Sequence, residues 1–289
     1  MSDRYTPLQK EVISGLTAGS VTTLIVHPLD LFKVRLQLLI TSTTKKGYRN
    51  LWSEIVGSDL SLTRELYRGL TVNLVGNTIA WGLYFASYRV AKDYLINYNH
   101  RIRNDKDLSS WMYLLASASS GMLTTVLTNP LWVIKTRMMS KANSDLTSMK
   151  VLRDLIKNDG VQGLWKGLVP ALVGVSQGAL HFTCYDTLKH KLVLKNRDSD
   201  EITNLETIAV TSVSKMLSTS AVYPFQLLKS NLQSFQASEN DFKLLPLSKM
   251  IYSRSGLLGF YKGLSANLLR SVPSTCITFC IYENFKSFL

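Results

Sequence analysis

Charge is missing from this chain over stretches where soluble helices would carry it. Trp111 to Ile134 contains no Asp, Glu, Lys or Arg, and neither do Leu70 to Tyr88 or Leu168 to Tyr185. Leu264 to Tyr282 carries only Arg270, Val12 to Leu29 only the titratable His27, and Leu205 to Leu228 only Glu206 and Lys215. A helix of about 20 residues crosses a bilayer, so these stretches predict six spans. Cysteine is scarce as well. Cys184, Cys276 and Cys280 form no ligand-spaced cluster with histidines or acids, which removes a zinc site and leaves them as small apolar packing residues. No glycine-rich phosphate loop and no Ser/His/acid or metal constellation recurs, which argues against an enzyme. Met1 to Lys10 has neither an apolar secretory core nor an Arg-rich, acid-poor amphipathic helix, so no removable targeting peptide is expected.

What is present points to a membrane protein with a wet interior. Mean hydropathy is only +0.07, lower than for helices that face lipid all round. Asn73, Asn77, Thr78, Gln177, His181 and Lys215 lie inside the spans and are expected to line a central cavity, with helix contacts as the alternative. The net charge is +13, from 33 Lys and Arg against 20 Asp and Glu. Much of it lies outside the spans, as in Lys45, Lys46 and Arg49 or Lys189, Lys191, Lys195 and Arg197, which suits anionic headgroups or an anionic solute. A nucleic-acid binder of the same charge would not need the charge-free runs.

The chain also repeats itself. Pro28-Leu-Asp30-Leu-Phe-Lys33-Val-Arg35, Pro130-Leu-Trp132-Val-Ile-Lys135-Thr-Arg137 and Pro224-Phe-Gln226-Leu-Leu-Lys229-Ser-Asn231 are copies of one segment. Each is followed by an aromatic-basic-glycine marker, Tyr67-Arg68-Gly69, Trp165-Lys166-Gly167 or Tyr261-Lys262-Gly263. Polar joints near residues 100–107 and 195–204 divide the chain into units 1–103, 104–198 and 199–289. Inside each unit an amphipathic segment, near 51–60, 146–157 and 245–253, separates two spans. The fold class is therefore all-α, span, surface helix, span, three times over.

A proline inside a span removes a backbone hydrogen bond and bends the helix, so the residues after it swing toward the bundle axis. Gly15 and Gly19, with Ser117 and Gly121 at the same offsets before the next proline, predict small faces for close helix approach. The third copy puts Lys215 there, a cation that costs at least about 2.5 to 3.5 kcal/mol in mid-membrane. It is expected to face water or an anionic ligand; a partner such as Glu206, or snorkelling, is the alternative.

The tripled proline signature with its glycine markers resembles the mitochondrial carrier family over the whole chain. The resemblance implies three helix pairs around a funnel, closed alternately by a matrix gate and a cytoplasmic gate, in the mitochondrial inner membrane. Matching residue by residue, the matrix gate would pair Asp30 with Lys135, Gln226 with Lys33 and Trp132 with Lys229. Only the first is an ion pair, so this gate is expected to be weak, with Gln37 and Gln233 as braces and Met139 unable to brace. The cytoplasmic gate would use Lys92, Asp186, Lys189, Glu283 and Lys286. The family's three substrate contact points fall on Gly76, Gly174-Val175 and Arg270. Asn77 can meet a heterocycle edge, and Trp81 offers a stacking face, with packing as the alternative. Eighteen residues separate Gly167 from Tyr185 where the other units have nineteen, so one residue is missing from the fourth span and the facing of Gln177 and His181 stays open. Gly69, Gly167 and Gly263 open helices whose free N–H groups suit a phosphate, and the resemblance implies cardiolipin there. Trp132 in place of an acid is similar to the subgroup that carries FAD, folate, pyrimidine nucleotides and NAD. The resemblance implies FAD as the cargo, with folate, pyrimidine nucleotides or NAD, or a non-transporting or proton-leak protein on the same fold, as the alternatives; no resident cofactor, no metal, no nucleic acid and a monomeric protein are expected.

Overall fold

The structure, a computed structural model, describes residues 7–39, 52–53, 55–57, 61–103, 109–140, 146–190, 203–234 and 243–288. All regular structure among them is helical. The first unit contains α1 (Pro7–Leu38), the short α2 (Leu62–Leu66) and α3 (Leu70–Arg103). The second contains α4 (Ser110–Ser140), α5 (Ser148–Asp159), α6 (Leu168–Gly174) and α7 (Ser176–Leu188). The third contains α8 (Asn204–Gln233), α9 (Leu244–Ser255) and α10 (Leu264–Phe288). Pro28, Pro130 and Pro224 each sit inside a long helix. Val161–Leu188 is long and apolar enough to cross a membrane by length and composition. The other long helices have the length but are less apolar, as helices with one face on water must be.

Local chemistry sets the helix ends. Thr203 and Glu206 form a reciprocal capping box that starts α8. The glycines of the markers adopt φ of 79° (Gly69), 73° (Gly167) and 84° (Gly263), a left-handed turn at which any other residue is strained. A β-carbon on Gly167 would also stand 3.1 Å from the Lys229 carbonyl oxygen. The marker is thus the corner where the chain turns into α3, α6 or α10.

Each first helix of a unit packs on the last helix of the unit before it: α4 on α3, α8 on α7, and α1 on α10, which closes the ring. The buried stripe is Ser14, Ala18 and Thr22 in α1, Ala116, Ser120 and Thr124 in α4, and Val210, Ser214 and Ser218 in α8. These small residues fall at matched positions before the three prolines and let the helices approach. They correct the expectation for Gly15 and Gly19, which are exposed and meet nothing within 4 Å. The small face lies one residue earlier. Gly121 does permit a close approach, because a β-carbon there would stand 2.8 Å from a methyl of Val175.

The residue missing from the fourth span is absorbed at Val175. Its N–H donates to the Leu172 carbonyl at 3.1 Å, and Gly178 N–H donates to the Val175 carbonyl at 3.3 Å. Both bonds span three residues, and winding at 3.0 rather than 3.6 residues per turn saves about half a residue each time. The span is therefore two helices, α6 and α7.

Among the described residues the buried apolar clusters gather at one end. Leu36, Leu39 and Ile55 form one cluster, Val72, Ile134, Met138 and Val151 a second, and Tyr223, Leu227, Leu228, Leu232, Leu247 and Ile251 the third. All three gather where the post-proline halves of α1, α4 and α8 meet the surface helices. At the opposite end Asp186 is more than half exposed, and its partner is His190 of its own chain segment at 3.4 Å. Lys92 lies over the Tyr113 ring at 5.6 Å. Glu283 and Lys286 lie outside the residues whose side chains are described. The bundle is closed at the proline end, and none of Lys92, Asp186 and Lys189 forms an ion pair to another unit among the described residues.

Candidate functional site

The closed end is built from three copies of one hydrogen-bond pattern. The residue just before each proline reaches the carbonyl of the basic residue in its own unit's marker. His27 Nε2 lies 3.0 Å from the Arg68 oxygen, Asn129 Nδ2 donates to the Leu164 and Lys166 oxygens at 2.9 and 3.3 Å, and Tyr223 Oη donates to the Lys262 oxygen at 2.9 Å. A carbonyl only accepts, so His27 carries its proton on Nε2 and presents Nδ1 as an acceptor to Asn73, 3.4 Å away. Sequence reading missed all three residues, because an imidazole, an amide and a phenol look unrelated.

The brace glutamines link one unit to the next through the same residues. Gln37 Nε2 donates to Tyr223 Oη at 3.1 Å, and Gln233 Nε2 donates to Asn129 Oδ1 at 3.2 Å while accepting from Thr136 at 3.2 Å. Met139 occupies the third such place; its carbonyl accepts from Arg35 Nε at 3.1 Å. Asn231 Nδ2 donates to the Gln37 carbonyl at 3.1 Å.

Two acids that sequence reading did not single out lie beneath this layer. Glu65 is fully buried and bonded to Arg35, with Arg68 at 2.9 Å. Asp159 bonds Arg137, with Lys166 at 3.0 Å. Lys262, the third marker base, has no acid partner among the described residues, and burial holds its ammonium below the ordinary lysine range. Two of the three marker bases are thus engaged by protein carboxylates.

Above the closed layer the charged residues do not pair as the ring geometry predicts. Asp30 binds Arg270, Oδ1 to Nη1 at 2.8 Å, while Lys135 and Lys33 stand within electrostatic reach of the same carboxylate. Gln226 does not bond Lys33. It donates to Gln177 Oε1 at 2.8 Å and accepts from Asn267 at 3.5 Å. Gln177 in turn donates to Thr219 Oγ1 at 3.0 Å, which fixes its facing toward α8. Trp132 is not an empty place in the ring: the Lys135 ammonium lies 5.4 Å and the Lys229 ammonium 6.0 Å from its ring centre. Each such contact contributes about 0.5 to 2 kcal/mol, so the gate is stronger than a count of carboxylates suggests.

The three contact points fare differently. Arg270 is about a quarter exposed and points into the charged cluster. Gly76 is buried, and a β-carbon there would stand 3.5 Å from the Trp132 ring, so it is a packing glycine under that indole. Val175 turns its methyls to Gly121, and a β-carbon on Gly174 would meet nothing within 4 Å. Asn77 donates to Asn73 Oδ1 at 3.4 Å. Trp81 stays 60% exposed and stacks on Phe85 with ring centres 5.6 Å apart.

Lys215 is exposed, and its electrostatic neighbours are Arg270 and His181. It precedes Gln226 by 226 − 215 = 11 residues on one helix, which is three turns along the same face. Arg270, Lys33 and Lys135 therefore stand around one carboxylate, Asp30, with Lys229 linked to Lys33 and Lys135 and Lys215 linked to Arg270. Such an excess of positive charge attracts anions.

The mitochondrial carrier protein model matches residues 5–99, 106–196 and 200–289, one match for each unit. The chain is 55% identical to the mitochondrial FAD carrier protein FLX1 of Saccharomyces cerevisiae, with 98% of each protein covered. It is 33% identical to the chloroplastic folate transporter 1 of Arabidopsis thaliana, over 96% of this chain and 94% of that one. It is 32% identical to the mitochondrial nicotinamide adenine dinucleotide transporter 1 of Saccharomyces cerevisiae, over 98% of this chain and 79% of that one. The tripled signature, the closed ring of helices and these matches place the chain in the mitochondrial carrier protein family.

Proposed function

We propose that this protein carries FAD across the mitochondrial inner membrane as a multi-pass monomer that opens alternately to either side. The observation that carries this reading is a linked set of five cations, three of them around Asp30, in a chain so similar to a FAD carrier. FAD brings a dianionic diphosphate, for which Arg270 is a planar fork and Lys215 a point charge. The closed proline end would be the matrix gate, held by Arg270–Asp30, Trp132 with its two lysines, and the glutamine braces. The opposite end would close through Lys92, Asp186, Lys189, Glu283 and Lys286. Gly69, Gly167 and Gly263 would meet cardiolipin; Lys262, with no acid partner among the described residues, makes the third marker the strongest of these lipid sites. The related folate and NAD transporters support a second reading, in which the same set of cations takes one of those anions.

The test is transport by the purified chain in liposomes. Labelled FAD should enter with saturation, while FMN, folate, NAD and pyrimidine nucleotides compete less well than unlabelled FAD. Saturable folate or NAD uptake without FAD uptake would replace the first reading with the second, and no uptake of any of them would sink both.

Lys215→Met serves as a local probe. Loss of one exposed cation facing a bound anion removes about 1 kcal/mol, so the KM for FAD should rise roughly fivefold while the thermal unfolding midpoint stays put. A lowered midpoint with unchanged KM would make Lys215 a structural residue.

A further inference from the structure

Arg270, in the charged cluster above the closed layer, is already occupied. Asp30 Oδ1 holds its Nη1 at 2.8 Å, while the Arg270 Nε–H is buried without an acceptor. The fork is thus only partly filled by the protein's own anion, and its side chain remains about a quarter exposed. We infer that Asp30 is a built-in competitor for Arg270, which an incoming ligand must displace, so that Asp30 sets the charge a ligand needs to occupy the site.

The exchange is physically cheap in one direction only. When a diphosphate takes the guanidinium, Asp30 is not stranded, because Lys33 and Lys135 are within its electrostatic reach. A bidentate anion fills donors that Asp30 leaves open, which favours it over the single bond it replaces. An uncharged ligand offers Arg270 no replacement for a carboxylate and leaves the pair intact. A monoanion merely exchanges one charge for another. Selection against uncharged flavins would then come from a carboxylate of the protein, an element that repels the wrong ligand as well as the attractive cations.

The pair also ties α10 to α1 across the seam where the last unit meets the first. Thr22 and Thr278 bond across the same seam with oxygens 2.9 Å apart. Displacing Asp30 removes the ionic part of that tie and leaves the hydroxyl part, so occupancy of the site and cohesion of this seam are linked through one carboxylate.

This inference rests on the cargo reading above for the identity of the ligand, and the test separates the two. Purified protein in detergent is titrated calorimetrically with FAD, with uncharged riboflavin and with inorganic pyrophosphate. Asp30→Asn should tighten FAD and pyrophosphate binding by roughly three- to tenfold, leave riboflavin binding as weak as before, and slow transport because a gate contact is lost. Asp30→Glu should keep the wild-type affinities. Asp30→Ser carries the same expectation as Asp30→Asn if the amide variant does not fold. Unchanged or weaker binding of both anions by the neutral variants overturns the inference. Pyrophosphate binding without FAD binding removes the cargo reading and leaves the inference to be judged on pyrophosphate; binding of neither anion by any form removes both.

Discussion

Arg270→Ala is expected to cut FAD uptake by roughly two orders of magnitude while the protein stays folded. A charge-assisted hydrogen bond contributes about 1.5 to 3 kcal/mol, a factor of roughly 10 to 150, and Arg270 can supply more than one such bond to a diphosphate. The fold should tolerate the change because Asp30 keeps Lys33 and Lys135 as electrostatic neighbours, and because the closed end rests on the buried clusters rather than on this pair. Uptake per folded molecule, read beside a thermal melt, separates the two effects. Normal FAD uptake by the variant would remove Arg270 from the site.

Glu65→Ala should instead act on stability. The carboxylate is fully buried between Arg35 and Arg68, whose side chains are 4% and 5% exposed. Taking away the acid leaves two guanidinium groups crowded and uncompensated, which costs about 3 to 5 kcal/mol, or a fall of roughly 10 °C in the unfolding midpoint. FAD affinity of the surviving folded fraction should not change, since Glu65 lies below the closed layer and away from the cavity. Glu65→Gln should lose less, because an amide oxygen still accepts one of the bonds. A midpoint within about 2 °C of wild type for Glu65→Ala would show that the buried cluster is compensated by groups other than this carboxylate.

Much of the fold was legible in the chain because repetition is visible without geometry. The charge-free runs and three prolines gave the long helices, and the markers gave the left-handed corners. The site was legible in part. Arg270 and Lys215 stood out as cations in apolar surroundings, which is a one-residue signal. Pairings were harder. Asp30 was assigned to Lys135 by ring symmetry, but the third unit puts a longer cation, Arg270, closer to it. Trp132 read as a missing acid because an aromatic face that holds two ammonium groups leaves no mark in a charge count. Gly76 and Val175 are turned toward α4 by packing and by the tightened turn after Gly174, and neither effect shows in residue spacing. Glu65 and Asp159 escaped notice since they stand three and seven residues before their marker bases, so the repeat does not align them.

The uneven clamping of the three surface helices has a thermal consequence. In the first two units a buried acid ties the long helix to the marker, through Glu65 and Asp159. In the third, Asn231 gives its amide to the first unit instead, and α9 is held to α8 by Leu227, Leu228, Leu232, Leu247 and Ile251 with no ion pair of that kind among the described residues. Apolar attachment gains little more once the temperature is high, whereas the dehydration cost of buried ion pairs keeps falling as the temperature rises. Heating therefore favours the first two clamps over the third, so α9 is the surface helix expected to loosen first in a thermal melt, leaving the pseudo-threefold ring with one soft side.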